Sequence, residues 1–209
     1  MSLQSSFNRF VKSLQEFLTG YGFVREGGRV FRKVSPDGDV LIIELQTSDA
    51  STKSERLFFI NVALTLAPCW EFDRQRYGLA ESALPTSMYG MWRHRIGFTG
   101  FSGSDRWRIT DDASSAAAWA EVRRRLEETL PELLQLLDRN RLRELAERKE
   151  FIGYASWLVL AWLLAEEGPS AELEDLLFAQ RPKHTHNSPM TKGIIDYANR
   201  KASAGSREG

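Results

Sequence analysis

Three polar side chains interrupt two segments that otherwise alternate like strands. Glu44 and Gln46 belong to the run 40–47, and Asn61 lies in the middle of the run 57–66. If the two strands pair, the amides of Gln46 and Asn61 come within reach of one another. Two interpretations follow. One is a structural network that satisfies buried backbone groups, which is the commoner use of such amides, and the other is a platform that binds a ligand.

Arginine and aromatic residues are interleaved in two later segments, Trp92-Arg93-His94-Arg95 and Arg106-Trp107-Arg108. Arginine planes and indole rings that stack on bases hold single-stranded nucleic acid, so one hypothesis is a nucleic-acid-binding surface. The alternative is a fixed ion pair in which Arg95 and Asp105 join two short strands. The chain carries 28 basic and 28 acidic residues, so its overall charge disfavours nucleic acid as a partner.

Candidates for acid–base chemistry are few. His94, Asp105 and Glu44 would form such a group only if the fold brings them together, which leaves a hydrolase-type enzyme as a second alternative. His184 and His186 lie in a proline-flanked segment without a fixed carboxylate, so we expect a mobile surface segment there rather than a metal site. No nucleophile elbow, phosphate-binding loop, dinucleotide fingerprint or zinc-helix motif occurs. The sequence therefore predicts no catalytic residue, no metal and no cofactor.

Composition indicates a folded protein outside the membrane. Of 209 residues, 42% are hydrophobic and 27% are charged, which is ordinary for a globular chain. The single cysteine, Cys69, excludes a disulfide within the chain and a zinc site with two thiolates, and we expect it to be a small buried hydrophobic residue. The longest apolar run, 151–165, is shorter than the roughly twenty residues that span a bilayer. Without a secretory signal, the expected location is cytoplasmic.

The elements that must position these side chains begin with a helix. Apolar residues recur at helical spacing from Phe7 to Leu18, and glycines follow. Strands are predicted at 23–25, 29–34, 40–47, 57–66, 92–98 and 106–109. In the two long strands, one set of alternating residues faces the core and packs on the first helix. The opposite set mixes apolar and polar residues, so we expect partial cover or a groove on that face.

Helices are predicted after residue 110, whereas 67–90 shows no clear period and is expected to be a long irregular connection. The predicted helices lie at 111–137 with Pro131 as a kink or a new start, and at 141–149, 151–165 and 171–179. We therefore predict an α+β domain at 1–138 with an antiparallel sheet and the N-terminal helix packed on it. A C-terminal helical extension packed on that domain follows at 139–180, and a polar, flexible tail at 181–209.

The order and spacing of several short motifs resemble a known family. The motifs are the first helix, Gly22-Phe23, Arg29-Val30-Phe31-Arg32, Leu45-Gln46, Phe59-Ile60-Asn61-Val62, Arg93-His94-Arg95-Ile96-Gly97 and Asp105-Arg106-Trp107. Over about residues 7–138 the chain resembles the bacterial family catalogued as domain of unknown function 4304. This resemblance implies a small α+β domain with no assigned activity. It also implies a polar signature at Gln46, Asn61, Arg95, Asp105 and Trp107. The family often doubles the tryptophan after the aspartate, whereas Arg108 follows Trp107 here.

These observations favour a non-catalytic cytoplasmic domain that binds a protein partner or a small ligand through the mixed sheet face. An accessory or antidote-like protein is one form of that hypothesis. The expected binding residues are Glu44, Gln46, Asn61, Arg95, Asp105 and Trp107.

Assembly is predicted from the run 151–165, whose large apolar side chains surround the helix. Burying each such side chain contributes about 1.5–3 kcal/mol, so leaving many exposed would be costly. We expect the helices at 119–137 and 173–178 to cover part of this surface. We predict a homodimer with this helix at or near the interface.

Overall fold

The alternating segments before residue 110 form a six-stranded antiparallel sheet in the computed structural model, which describes residues 2–97, 106–148, 156–179 and 185–205. The strands are β1 (Val24–Arg25), β2 (Val30–Val34), β3 (Val40–Thr47), β4 (Arg56–Thr65), β5 (Trp92–Arg95) and β6 (Trp107–Ile109). They pair in the order β1-β2-β3-β4-β5. Strand β6 also pairs with β4, at the end that β5 leaves free.

Helices flank these strands along the chain. They are α1 (Leu3–Thr19), α2 (Ala67–Arg76), α3 (Asp112–Gln135), α4 (Arg139–Glu147), α5 (Ser156–Glu166), α6 (Ala171–Glu174) and α7 (Pro189–Gly205). A 3₁₀ turn at Ser87–Tyr89 and a π-helical turn at Asp175–Ala179 complete the described elements. The fold is α+β, as the sequence predicts. No helix within the described ranges is both long enough and apolar enough to cross a membrane.

One face of the sheet packs on α1, as the alternation predicts. Phe58 is fully buried and contacts the rings of Phe7 and Phe10 at centroid distances of 5.3 and 5.0 Å. Trp119 of α3 closes the cluster with edge contacts to Phe10 and Phe17 at 6.2 and 5.8 Å. Helix α3 begins with a capping box between Asp111 and Ser114 and runs through Pro131 without a break in its assigned range.

The chain divides into two compact units, Met1–Thr65 with Leu84–Leu137, and Leu66–Ala83 with Asp138–Gly209. The first unit contains the sheet, α1 and α3. The second contains α2 and α4 to α7, and in it Cys69 is buried, as expected. The division at Leu137 and Asp138 lies within one residue of the predicted boundary, and the second unit also contains Leu66–Ala83.

The segment 67–90 is not the irregular connection that its weak periodicity predicts. Helix α2 begins directly after β4, with Pro68 in its first turn, where a proline costs no hydrogen bond. The 3₁₀ turn at Ser87–Tyr89 follows in the first unit. Pro68 therefore belongs to a helix and does not mark a loop, whereas Pro85 lies in irregular backbone.

Much of the segment predicted as a flexible tail forms α7, a helix with a buried side. Ile194 and Ala198 are 0% and 1% exposed. Tyr197 contacts Trp162 of α5 edge-on at 5.7 Å, and Trp162 is itself fully buried. Much of the apolar surface of α5 is thus covered by helices of its own unit, including α7 in the segment predicted as a tail. Homodimerisation stays a prediction.

The order of α7 is testable through Gly193, because a methyl group added there would overlap the ring of Phe72. In an open helix, Gly→Ala stabilises by about 1 kcal/mol. With the ring in the way, we expect Gly193→Ala to lower the free energy of unfolding by about 1–3 kcal/mol. Denaturant titration measures the change, and Lys192→Ala, at the exposed neighbouring position, is the control. A stabilised Gly193→Ala variant would contradict this packing of α7 and support the predicted flexible tail.

Candidate functional site

The strand register brings the predicted polar residues into one row across the sheet. Glu44 pairs with Asn61, and Asn61 pairs with Arg95, so an acid, an amide and a base stand side by side on three neighbouring strands. Val30 of β2 continues the row on the far side of Glu44. Paired residues present their side chains on the same face, which is the face opposite α1.

Asn61 is the centre of a chain of side-chain hydrogen bonds. Its Nδ2 donates to Oε1 of Gln46 at 2.9 Å, and its Oδ1 accepts from Nε of Arg95 at 3.1 Å. The guanidinium carbon of Arg95 also lies 4.2 Å from the ring centroid of Phe59. Since one amide serves both neighbours, the orientation of Arg95 is set by two independent contacts.

A groove of about 680 Å³ opens over this row. It is lined by residues of β3, β4, β5 and the 84–90 segment: Glu44, Gln46, Asn61, Thr86, Ser87, Met88, Arg93, His94 and Arg95. We call this the sheet-face groove. Met88 is 70% exposed, so an apolar side chain stands at its border beside the polar floor.

The 84–90 segment lies against the sheet and covers the apolar end of this face. Beneath it, Val40, Ile42 and Ala63 form a small buried cluster. Gly90 approaches so closely that a Cβ at this position would lie 2.6 Å from the Cβ of Ala63, which explains why a glycine is needed. The mixed face is thus covered at one end and open at the other, as expected from its composition.

Two charged side chains attach the segment to the sheet. Oε2 of Glu44 accepts the Ser87 N–H at 2.9 Å, and Nε of Arg32 donates to the Pro85 carbonyl at 2.7 Å. Arg32 is only 6% exposed. Burial lowers the pKa of Arg32 below its ordinary value, and the carboxylates of Glu26 and Glu44 partly oppose that shift. The carboxylate of Glu44 therefore has a structural role, which leaves the arginines as the less engaged charges of the groove.

Arg93 and Arg95 are exposed and lie two residues apart on the same face of β5. Neither forms an ion pair with any carboxylate that the structure describes. The Nη atoms of Arg95 make no hydrogen bond there either, since Asn61 takes only its Nε. The open end of the groove consequently presents two positive charges, one of them in a fixed orientation.

The remaining predicted site residues do not join this group. Trp107 pairs with Phe58 on the α1 face, where it is 2% exposed and its indole N–H donates to the Ile96 carbonyl at 2.7 Å. Trp92, on the same face, is 8% exposed. Little of either indole ring is exposed for stacking on a base. Asp105 lies outside the described residues, and so does its suggested pairing with Arg95.

The suggested acid–base group is divided between the two faces. His94 borders the groove, but its pairing with Val62 directs its side chain to the face opposite Glu44, where the imidazole stacks on Trp92 at 6.1 Å. His184 lies outside the described residues. Across the described ranges, no three His, Cys, Asp or Glu side chains cluster in a way that would hold a metal ion.

The family model for Domain of unknown function (DUF4304) matches residues 14–148. The chain belongs to this family. The match confirms the resemblance inferred from the motif order, although it starts and ends later than the expected range. No curated protein and no solved structure matches the chain. Within this DUF4304 chain, Gln46, Asn61 and Arg95 converge in the sheet-face groove.

Sequence reasoning missed the contribution of Arg32, Ser87 and Met88 to this site. For Arg32 a sequence signal was available. The alternation in β2 places it on the same sheet face as Ile42, its register partner. Ser87 and Met88 belong to the segment expected to be irregular, and no spacing rule places such a segment on a particular sheet face.

The bond between Glu44 and Ser87 predicts a local effect of Glu44→Gln. Glutamine keeps an acceptor oxygen but removes the charge, so the hydrogen bond weakens. We expect the Ser87 amide to exchange about tenfold faster, which corresponds to about 1.4 kcal/mol of local stability. Amide hydrogen exchange measures it. Glu55→Gln, which breaks an ion pair with Arg108 elsewhere on the sheet, is the control. An unchanged Ser87 rate in Glu44→Gln would contradict this role.

Proposed function

We propose that this DUF4304 chain is a non-catalytic binding domain of a cytoplasmic bacterial protein, and that the sheet-face groove holds its ligand by a carboxylate. The ligand is a small organic acid or an acidic segment of a partner protein. The observation that carries the proposal is Arg95, a guanidinium held by Asn61 and Phe59 with its Nη atoms directed to no described partner.

Preorganisation makes Arg95 suited to binding. An arginine side chain normally loses rotamer freedom when it binds, and a guanidinium already held in place loses less. Its Nη atoms can still donate in the forked geometry that matches the two oxygens of a carboxylate. Arg93 adds a second positive charge on the same face.

The charge balance favours an anion over a cation. Glu44 is the one carboxylate among the described lining residues, and it already accepts the Ser87 amide and lies near Arg32. A positively charged ligand would be repelled by Arg93 and Arg95, and the one carboxylate that could attract it is already hydrogen-bonded. The apolar side chain of Met88 adds contact area for the rest of an anionic ligand.

Binding without turnover fits the chemistry of the lining. Ser87 and Thr86 supply hydroxyl groups, and the bordering imidazole of His94 is turned to the other face. Among the described residues of the groove, no hydroxyl is therefore paired with a general base. Holding a partner is also what an accessory or antidote-like protein would do, and that role belongs to the same proposal.

The proposal is tested by adding ligand to the protein and following the arginine Nε–Hε signals by NMR. The probes are acetate and an oligoglutamate peptide at equal ionic strength, and the Arg95 signal is expected to shift and saturate. Arg95→Gln should weaken binding about 10–100-fold, because a charge-assisted hydrogen bond contributes about 1.5–3 kcal/mol. Asn61→Ala should cause a smaller loss, since the guanidinium remains but is no longer oriented.

Arg123→Gln is the matched control, because Arg123 pairs with Glu127 on the exposed side of α3. A response to acetate as well as to the peptide indicates a small acid, whereas a response to the peptide alone indicates a partner segment. No saturable shift with either probe would refute the proposal. A single-stranded oligonucleotide that shifts Arg95 where both acids fail, with a steep loss at higher salt, would favour the nucleic-acid alternative instead.

A further inference from the structure

A second group of positive charges lies at the other end of β4, beside the start of α1. The guanidinium carbons of Arg29 and Arg56 lie 4.7 and 5.7 Å from the ring centroid of Phe7, so the two cations share one aromatic ring. Both side chains are partly buried. Neither forms an ion pair with a carboxylate of the described ranges. One aromatic ring offsets only part of the charge of two guanidinium groups.

The bonding of Arg56 is incomplete. Its Nη2 donates to Oε1 of Gln4 at a long 3.3 Å, and its Nε is buried without any hydrogen-bond partner. A buried donor of this kind loses its hydrogen bond to water and forms none within the protein. The pKa of Arg29 also reflects uncompensated positive charge. Burial, and then repulsion from Arg56 and Arg25, lower this pKa below its ordinary value. Within the described ranges, the fold thus holds positive charge here without a counter-charge.

A cavity of about 570 Å³ opens directly beside Arg56. Its other walls are the N-cap residue Ser2, the first two residues of α1, Leu3 and Gln4, and the loop residues Ser51, Thr52 and Lys53. No carboxylate belongs to these described walls, and the first turn of α1 carries no acidic residue. Cations and polar groups therefore surround this space from a strand, a loop and a helix.

We propose that this cavity binds a phosphate group, with Arg56 and Lys53 as its charged ligands. The donors come from three directions, which suits the oxygens of a tetrahedral anion better than the two coplanar oxygens of a carboxylate. A bound phosphate supplies the missing counter-charge to Arg56. The partial positive charge at the start of α1 adds to the attraction without being its main source.

The phosphate site is independent of the sheet-face groove. Arg56 pairs with Ile109 at one end of β4, whereas Asn61 and Ala63, which pair with Arg95 and Arg93, lie further along the strand. The two sites share no lining residue. Loss of one should leave the other unchanged, so the two proposals can fail separately.

The experiment is a titration with inorganic phosphate, with the ionic strength held constant by sodium chloride. The Nε–Hε signal of Arg56 and the backbone amides of Leu3 and Lys53 are followed by NMR and are expected to shift along one saturable curve. Arg56→Gln should weaken phosphate binding at least tenfold, and Lys53→Gln several-fold.

Lys53→Gln keeps the test decisive if Arg56→Gln fails to fold, because Lys53 is exposed and anchors no other described side chain. Lys12→Gln, on the exposed side of α1, is the control and should leave phosphate binding unchanged. Three results would each overturn the proposal: no saturable shift with phosphate, an equal shift with acetate, or unchanged affinity in Lys53→Gln.

Discussion

The antiparallel register of β3 against β4 is the constraint on which the first unit depends. Val40–Thr47 pairs without interruption with residues 65 down to 58. A slip by one residue would move every side chain to the opposite face of the sheet. Glu44 would then lie under α1, and Ile43, now fully buried, would face the groove. The apolar contacts with α1 thus select the same register that places Glu44, Asn61 and Arg95 in one row.

The groove forms because the sheet face opposite α1 is only partly covered. At one end of this face Val40, Ile42 and Ala63 form a buried cluster on which Val30 packs, and Gly90 of the 84–90 segment lies against Ala63. The segment is attached by Glu44 and Arg32, both of which also belong to this face. A buried arginine is costly unless its donors are satisfied, and the Pro85 carbonyl provides that bond. The segment stops short of Gln46 and Arg95, and the groove lies where the cover ends.

The strands and the amide pair could be predicted because period-two alternation reports both the element and its faces. The contact between Gln46 and Asn61 followed once the two strands were paired. Trp107 was assigned to the site because the family resemblance includes it in the polar signature, whereas both Trp107 and Ile109, which alternate in β6, are buried on the core side. Helices α2 and α7 were missed for another reason. Their apolar residues are few, and their prolines and glycines are equally common in loops, so only packing within the second unit distinguishes the two.

Asn61 explains how this face keeps a positive charge that no described carboxylate neutralises. Glu44 and Arg95 are separated by two strand spacings, roughly 10 Å between Cα atoms, so their direct pairing is disfavoured. The residue between them is within reach of both strands. An aspartate there would pair with Arg95 and neutralise it, whereas a leucine would leave its Nε without a partner. The neutral amide accepts from Arg95 on one side and donates to Gln46 on the other. It therefore orients the guanidinium without cancelling its charge, and this combination is what a binding site for an anion requires.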